Sequence, residues 1–195
     1  MQANDEHPEE EIRIAMDRRG LVLPYHAVKR EDGENFGYFD LVAHPELVAQ
    51  IPEISQLPAC QDFLRAINGP KSSFRTIRTV TGAERMEFSG AAPFWQALCV
   101  LGITSRVPGR IAGVPECYGI IGMIHSHLLK RRLIFPWPPL FQIQGVLWQK
   151  EQVEGFVFDI HMTGTGPTEQ AAWEHFQSFL PPLTEIMLSL QSQDN

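Results

Sequence analysis

The segment LFQIQGVLWQKEQVEGFVFDIHMT, residues 140–163, decides the fold. A two-residue period is typical of a strand with one face in the core, and the first half of the segment begins this way at Phe141 and Ile143. The polar stretch QKEQVEG between the two halves predicts a turn, so the whole segment predicts a β-hairpin. The second half alternates most clearly, with Phe156, Phe158, Ile160 and Met162 on one side and Val157, Asp159, His161 and Thr163 on the other.

The remaining segments predict strands and helices in mixed order. Strands are predicted over residues 21–28, 36–43, 74–80 and 85–88, the last two forming a second hairpin. Helices are predicted over residues 8–19, 46–50, 61–67, 91–103, 171–180 and 183–190, and the apolar segment 91–103 is expected to be a buried helix. Residues 118–129 fit either a buried strand or a helix, and their glycines and isoleucines favour the strand.

Hairpins without regular βαβ alternation indicate the α+β class, with a largely antiparallel sheet covered by helices. The chain has 195 residues, of which 44% are apolar and 20% charged, and this is the range of a single globular domain. We expect one compact domain over residues 8–190, a disordered N-terminal tail over 1–7 and a C-terminal tail over 191–195.

The sequence favours a cytoplasmic protein. No apolar run reaches the roughly 18 to 20 residues that a membrane helix needs. The N-terminal segment MQANDEHPEEEIR is acidic and resembles neither a secretory nor a mitochondrial signal. Three widely spaced cysteines, Cys60, Cys99 and Cys117, are expected to be reduced and buried.

Charge is distributed unevenly along the chain. Residues 1–64 hold 5 Lys/Arg and 13 Asp/Glu, residues 65–132 hold 10 and 3, and residues 133–195 hold 1 and 7. An acidic protein with a basic middle is a poor candidate for general nucleic-acid binding, which needs a broad positive surface. A local site for a small anionic molecule, or association between copies into a homodimer, fits this distribution better.

Arginines of the basic middle are the candidate ligand-binding residues. Arg75 and Arg78 belong to the second predicted hairpin, and Arg106 and Arg110 flank Val-Pro-Gly. A guanidinium group can donate two hydrogen bonds to one carboxylate or phosphate. Trp137, between two prolines, is expected to be partly exposed and available to a ligand or protein partner. The alternative is that these arginines pair with the acidic N- and C-terminal thirds, in this chain or in a partner chain.

A metal site is the second candidate. If residues 118–129 form a strand, His125 and His127 share one face. Asp159 and His161 repeat this spacing on the first hairpin, and three imidazoles with one carboxylate suit Zn²⁺ or a similar divalent ion. Such an ion could activate water for hydrolysis. If residues 118–129 are helical, the two histidines diverge.

No complete catalytic set of residues is visible, and neither a Walker motif nor a GxGxxG motif is present. The sequence therefore favours a binding protein for a small anionic ligand or a protein partner. A metal-dependent hydrolase using His125, His127, Asp159 and His161 is the alternative.

Overall fold

The structure, a computed structural model, describes residues 12–30, 33–90, 92–133 and 135–190. The predicted tails, residues 1–7 and 191–195, lie outside these ranges. In the described part of the chain, seven strands, four α-helices and two 3₁₀ turns follow one another. They are β1 (Arg13–Leu23), β2 (Val28–Arg30), β3 (Gly33–Asn35), the 3₁₀ turns Pro45–Gln50 and Pro52–Ile54, α1 (Pro58–Asn68), β4 (Phe74–Met86), β5 (Phe94–Ser105), α2 (Val114–Lys130), β6 (Leu140–Trp148), β7 (Val153–Gly166), α3 (Glu169–Ser178) and α4 (Leu180–Ser189).

Five of these strands form one sheet in the order β1-β6-β7-β5-β4. Strand β1 runs parallel to β6, and every other neighbouring pair is antiparallel. The hairpin predicted from residues 140–163 is confirmed as β6 and β7, which pair from Leu140 opposite His161 to Trp148 opposite Val153. The α+β class and the largely antiparallel sheet are therefore also confirmed.

The main core lies between the helices and one face of the sheet. Phe158 and Ile160 of β7 join it from the sheet, and Phe63 of α1 and Phe176 of α3 join it from the helices. The apolar side of the β7 alternation is thus the face that the helices cover. None of the helices in the described residues is long and apolar enough to cross a membrane.

The opposite side of the sheet, which we name the open face, carries a smaller apolar cluster. Five buried residues form it, with Tyr25 and Tyr38 packed against them from the segment that follows β1. This cluster covers only one end of the open face, because Val80 of β4 and Leu98 of β5 are exposed by 52% and 38%. The buried members are Leu23, Ile77, Val146, Trp148 and Val157.

Two predicted helices are strands in the structure. The predicted helix over 8–19 is wrong for its described part, because residues from Arg13 onward form β1 and pair with β6. The predicted buried helix over 91–103 is also wrong, since Phe94–Ser105 is β5, which lies between β4 and β7. A strand that is covered on both faces reads as a continuous apolar run, and periodicity cannot distinguish it from a buried helix.

The second predicted hairpin is instead one long strand. Strand β4 runs without a turn through Thr81, Gly82 and Ala83, which pair with Cys99, Leu98 and Ala97 of β5. A Cβ atom at Gly82 would meet nothing within 4 Å, so the glycine reflects exposure at this end of the sheet rather than a turn. The predicted strand over 36–43 is wrong as well, because this segment is a loop leading into the 3₁₀ turn Pro45–Gln50.

Residues 118–129 belong to helix α2, so the favoured strand is wrong. Cys117, Ile121, Ile124 and Leu128 are its buried side chains. Their spacing of four, three and four residues places them on one side of an α-helix, where they face the sheet. A Cβ atom at Gly119 or Gly122 would also meet nothing within 4 Å in the described part of the chain, so these glycines lie on an exposed side of the helix.

Candidate functional site

A cleft of about 340 Å³ runs along β4, which is an edge strand of the sheet. We name it the β4 cleft. Arg78 and Val80 lie on the open face. Arg78 is opposite Gly102 of β5, which is opposite Asp159 of β7, and Val80 is likewise aligned with Val100 and His161. Thr79 and Thr81 alternate with Arg78 and Val80 and reach the cleft from the other side of the strand. Its remaining lining residues are Tyr25, Asn35, Gly37, Phe39, Leu41, Ile51, Glu53, Thr76 and Ile77.

The floor of the cleft at its open-face end is an ion pair between Arg78 and Asp159. Arg78 Nε donates to Asp159 Oδ1 at 2.9 Å, and Nη2 of the same guanidinium donates to Oδ2. The Asp159 carboxylate is completely buried, whereas a quarter of the Arg78 side chain is exposed. A bidentate pair of this kind fixes the plane of the guanidinium group.

Gly102 of β5 makes this ion pair possible. It lies between Arg78 of β4 and Asp159 of β7, directly opposite both. A Cβ atom at Gly102 would be 2.6 Å from Cγ of Arg78 and 2.9 Å from Oδ1 of Asp159. The missing side chain therefore leaves the space through which Arg78 crosses β5.

Gln144 of β6 completes the polar floor. With its amide oxygen turned towards Arg78, the side chain accepts from Nη2 at 2.7 Å and from Nη1 at 3.2 Å. The Arg78 guanidinium is then bound by a buried carboxylate and a buried amide. Its direction is set by side chains of β6 and β7, and its charge is balanced by Asp159.

Tyr25 and Glu53 face the cleft from the long segment between β1 and α1. The Tyr25 hydroxyl donates to the main-chain oxygen of Ile77 at 3.1 Å, and burial raises the pKa of this phenol to about 12. Glu53 is held at β4 because Thr81 Oγ1 donates to its main-chain oxygen at 3.0 Å. Oε2 of Glu53 is buried and has no hydrogen-bond partner among the described residues, and burial raises the pKa of the carboxyl group.

The structure does not bring the five predicted ligand-binding residues together. Among them only Arg78 lines the β4 cleft. Arg106 binds the main-chain oxygens of Asn68 and Gly69 at 2.9 and 2.6 Å, where α1 ends. Arg110 lies in the loop between β5 and α2, and Trp137 lies before β6 with 46% of its surface exposed. Binding of a ligand by these residues stays a prediction.

Two of the arginines make the contacts that the alternative predicted. Arg75 Nη2 donates to Asp40 at 2.8 Å and also contacts the Tyr38 hydroxyl, and its guanidinium carbon lies 4.8 Å from the centre of the Trp148 ring. Asp40 belongs to the acidic N-terminal third, as Asp159 belongs to the acidic C-terminal third. Pairing of the basic middle with both acidic thirds within one chain is therefore confirmed for Arg75 and Arg78.

The predicted metal-binding residues lie apart. Because α2 is a helix, His125 and His127 point about 160° apart around its axis. Asp159 and His161 are on the open face, whereas α2 packs on the other side of the sheet. In the described ranges, no group of three or more His, Cys, Asp or Glu side chains is arranged to hold a metal ion. The strand geometry that motivated this site is therefore wrong.

Both partly buried histidines are nevertheless perturbed. Burial lowers the pKa of His125. Burial also lowers the pKa of His161, and this effect is larger than the opposite effect of the neighbouring Asp159. Nε2 of each ring is buried, and no described residue hydrogen-bonds to it. Both imidazoles are thus favoured in the neutral form.

Sequence reasoning missed Tyr25 and Glu53. Glu53 stands in IPEIS between Ile51 and Ile54, and both of these isoleucines are buried. A single acidic residue in such a position is a weak signal, and nothing in the sequence places it beside β4. Tyr25 follows Pro24 and carries no motif at all.

Comparison with known proteins gives no match: neither a family model, nor a curated protein, nor a solved structure is similar to this chain beyond chance. The function must therefore be argued from the geometry.

Proposed function

We propose that this protein is a binding protein whose ligand occupies the β4 cleft. The observation that carries this proposal is the cleft itself, about 340 Å³ of concave space lined by both polar and apolar side chains. Pockets that bind small molecules begin at about 300 Å³ and combine an apolar wall with a few directed polar groups. Leu41 and Ile51 supply the apolar wall, and Arg78, Glu53 and Thr79 supply polar groups.

The rigidity of the floor supports the same proposal. Arg78 is oriented by Asp159 and Gln144, and these two belong to strands in the interior of the sheet. A group that is already fixed loses little conformational entropy when a ligand binds to it. One side of the cleft therefore belongs to the sheet. The other side belongs to the loop and 3₁₀ turns of residues 35–54.

Fragment binding monitored by NMR tests this proposal. The ¹⁵N-labelled full chain would be titrated with inorganic phosphate, n-butyrate, 1-butanol and n-butylammonium, so that anionic, neutral and cationic probes are compared. Binding by any of them should shift the main-chain amides of the cleft residues, including Arg78 and Thr79. Phosphate tests for the anionic ligand that the sequence favours. Such a ligand would bind the Arg78 guanidinium group, which also binds Asp159.

Two tryptophan variants make the test specific to the cleft. Val80→Trp places a large ring in the cleft from an exposed position, whereas Leu98→Trp places the same ring on the open face outside it. The first variant should abolish the fragment shifts and the second should retain them. Shifts that survive Val80→Trp, or an absence of shifts with every probe, would refute a ligand site in this cleft.

We also propose a cytoplasmic location and association with a protein partner or a second copy. The free, buried state of Cys60, Cys99 and Cys117 supports a reducing compartment. Exposed apolar side chains on edge strand β1, Met16 and Val22, support association. Sedimentation at low and high salt tests the homodimer, because association through charged contacts should weaken as salt screens them.

A further inference from the structure

We infer that the ligand of the β4 cleft carries a positively charged amino or guanidino group, and that Glu53 binds this group. The inference rests on the proposed ligand site and names the chemistry of its ligand. It is opposite in sign to the anionic ligand that the charge distribution of the sequence favours.

The charge balance of the cleft is the first step. Its charged lining residues are Arg78 and Glu53, and Asp159 lies directly behind Arg78. The positive charge of Arg78 is compensated by the buried Asp159 carboxylate at hydrogen-bond distance. Among the described residues that line the cleft, the charge that remains without an ion-pair partner is that of ionised Glu53.

The hydrogen bonding of Glu53 is the second step. An ionised carboxylate accepts several hydrogen bonds, yet Oε2 of Glu53 is shielded from solvent and has no donor among the described residues. Leaving such an oxygen unsatisfied is unfavourable, and the raised pKa of Glu53 reports the same cost. An ammonium or guanidinium group in the cleft would compensate the charge of this carboxylate, and a rotation of the Glu53 side chain would bring Oε2 to its donors.

The surroundings of Glu53 also suit a cation. Tyr25 and Phe39 are among the lining residues of the cleft, and the hydrogen bond to Ile77 fixes the Tyr25 side chain. Aromatic rings attract ammonium groups, and aromatic side chains are a common means of recognising them. Thr81 holds the Glu53 main chain against β4, so the carboxylate does not depend on a free loop for its position.

The test compares n-butylammonium and n-butylguanidinium with n-butyrate and 1-butanol on the ¹⁵N-labelled full chain at pH 7. The cationic probes should bind the cleft at least about fivefold more tightly than the other two, as expected for a charge-assisted hydrogen bond. Glu53→Gln keeps the shape of the side chain and should weaken the cationic probes about tenfold. Glu84→Gln, an exposed residue of β4 that does not line the cleft, should change nothing.

The pH dependence gives a second readout. Binding of n-butylammonium should weaken as pH falls through the raised pKa of Glu53, because the neutral carboxyl group loses its attraction for the cation. The Glu53→Gln variant should lack this dependence. The dispersion of the NMR spectrum shows whether each variant is folded.

The outcomes separate this inference from the proposal on which it rests. Cleft shifts with butyrate or phosphate but not with the cationic probes would overturn the inference and leave the ligand site standing. Tight cationic binding that is unchanged in Glu53→Gln would also overturn it. If none of the probes shifts the cleft amides, the ligand site fails and the inference fails with it.

Discussion

Gly102→Ala should destabilise the protein because it fills the space through which Arg78 reaches Asp159. The new methyl group would lie 2.6 Å from Arg78 Cγ, 2.9 Å from Asp159 Oδ1 and 3.3 Å from Ile77 Cγ1. The first two distances are below any normal contact, so the guanidinium and the carboxylate must move apart. Asp159 is completely buried, and water therefore cannot replace the guanidinium as its partner.

The expected change in the free energy of unfolding follows from one stabilising effect and two destabilising effects. Replacing a strand glycine by alanine favours folding by about 0.5–1 kcal/mol, since the unfolded chain loses conformational freedom. Overpacking costs about 1–3 kcal/mol, and breaking a buried ion pair costs about 3–5 kcal/mol. Because the flexible Arg78 side chain can relieve part of the clash, we expect a net loss of about 2 kcal/mol in the free energy of unfolding.

Urea denaturation followed by tryptophan fluorescence measures this loss. A change of about 2 kcal/mol should lower the midpoint by roughly 1 M, with an unchanged slope. Gly82→Ala is the matched control, because Gly82 also lies in a strand but meets nothing within 4 Å. It should be neutral or slightly stabilising. If Gly102→Ala were as stable as Gly82→Ala, the argument that this glycine admits the ion pair would be wrong.

Three further predictions concern single side chains. Asp159→Asn should lower the free energy of unfolding at pH 7 by about 3 kcal/mol in a urea titration, because the mostly buried Arg78 loses its counter-charge. Asp62→Asn, which removes the charge from an exposed ion pair, should cost almost nothing in the same titration. Thr168→Ala should cost about 1 kcal/mol by thermal or urea unfolding, because the Thr168 hydroxyl accepts from the first turn of α3. His161 should make the wild type lose stability as pH falls below about 6.5, since the unfolded chain then binds a proton that the folded one resists. His161→Gln should remove that part of the pH dependence, and an unchanged profile would contradict the burial of a neutral imidazole.

The fold could be predicted where one face of an element is polar. Strand β7 alternates because its open face carries Asp159, His161 and Thr163, and its hairpin with β6 follows from the sequence. Strand β5 could not be recognised, because both of its sides are buried near residues 100–103. Leu101 and Ile103 belong to the main core, and Val100 is buried on the opposite side of the sheet, so no polar alternation marks the strand.

Helix α2 shows a different limit. The spacing of its buried residues from Cys117 to Leu128 is helical and was present in the sequence. Gly119 and Gly122 favoured a strand instead, but they lie on an exposed side of the helix, where a glycine costs about 1 kcal/mol and can be tolerated.

The candidate site was only half predictable. Arg78 was predicted as a ligand-binding residue and Asp159 as a metal-binding residue. Because 81 residues separate them, nothing in the sequence was a reason to pair them. Their pairing depends on the order β7-β5-β4 and on Gly102 in the intervening strand. Neither the strand order nor the role of a single glycine can be read from composition or periodicity.

Ion pairs within the fold join the oppositely charged parts of the chain. Arg75 pairs with Asp40, Arg78 with Asp159, and Arg131 with Glu185 at 2.5 Å. Each of these ion pairs joins the basic middle of the chain to one of its acidic thirds. The Arg131–Glu185 pair is exposed and contributes little to stability, whereas Arg78 and Asp159 are bound in the sheet. Part of the positive charge that suggested an anion site is therefore used within the fold, whereas Glu53, which lines the β4 cleft, has an oxygen with no hydrogen-bond partner among the described residues.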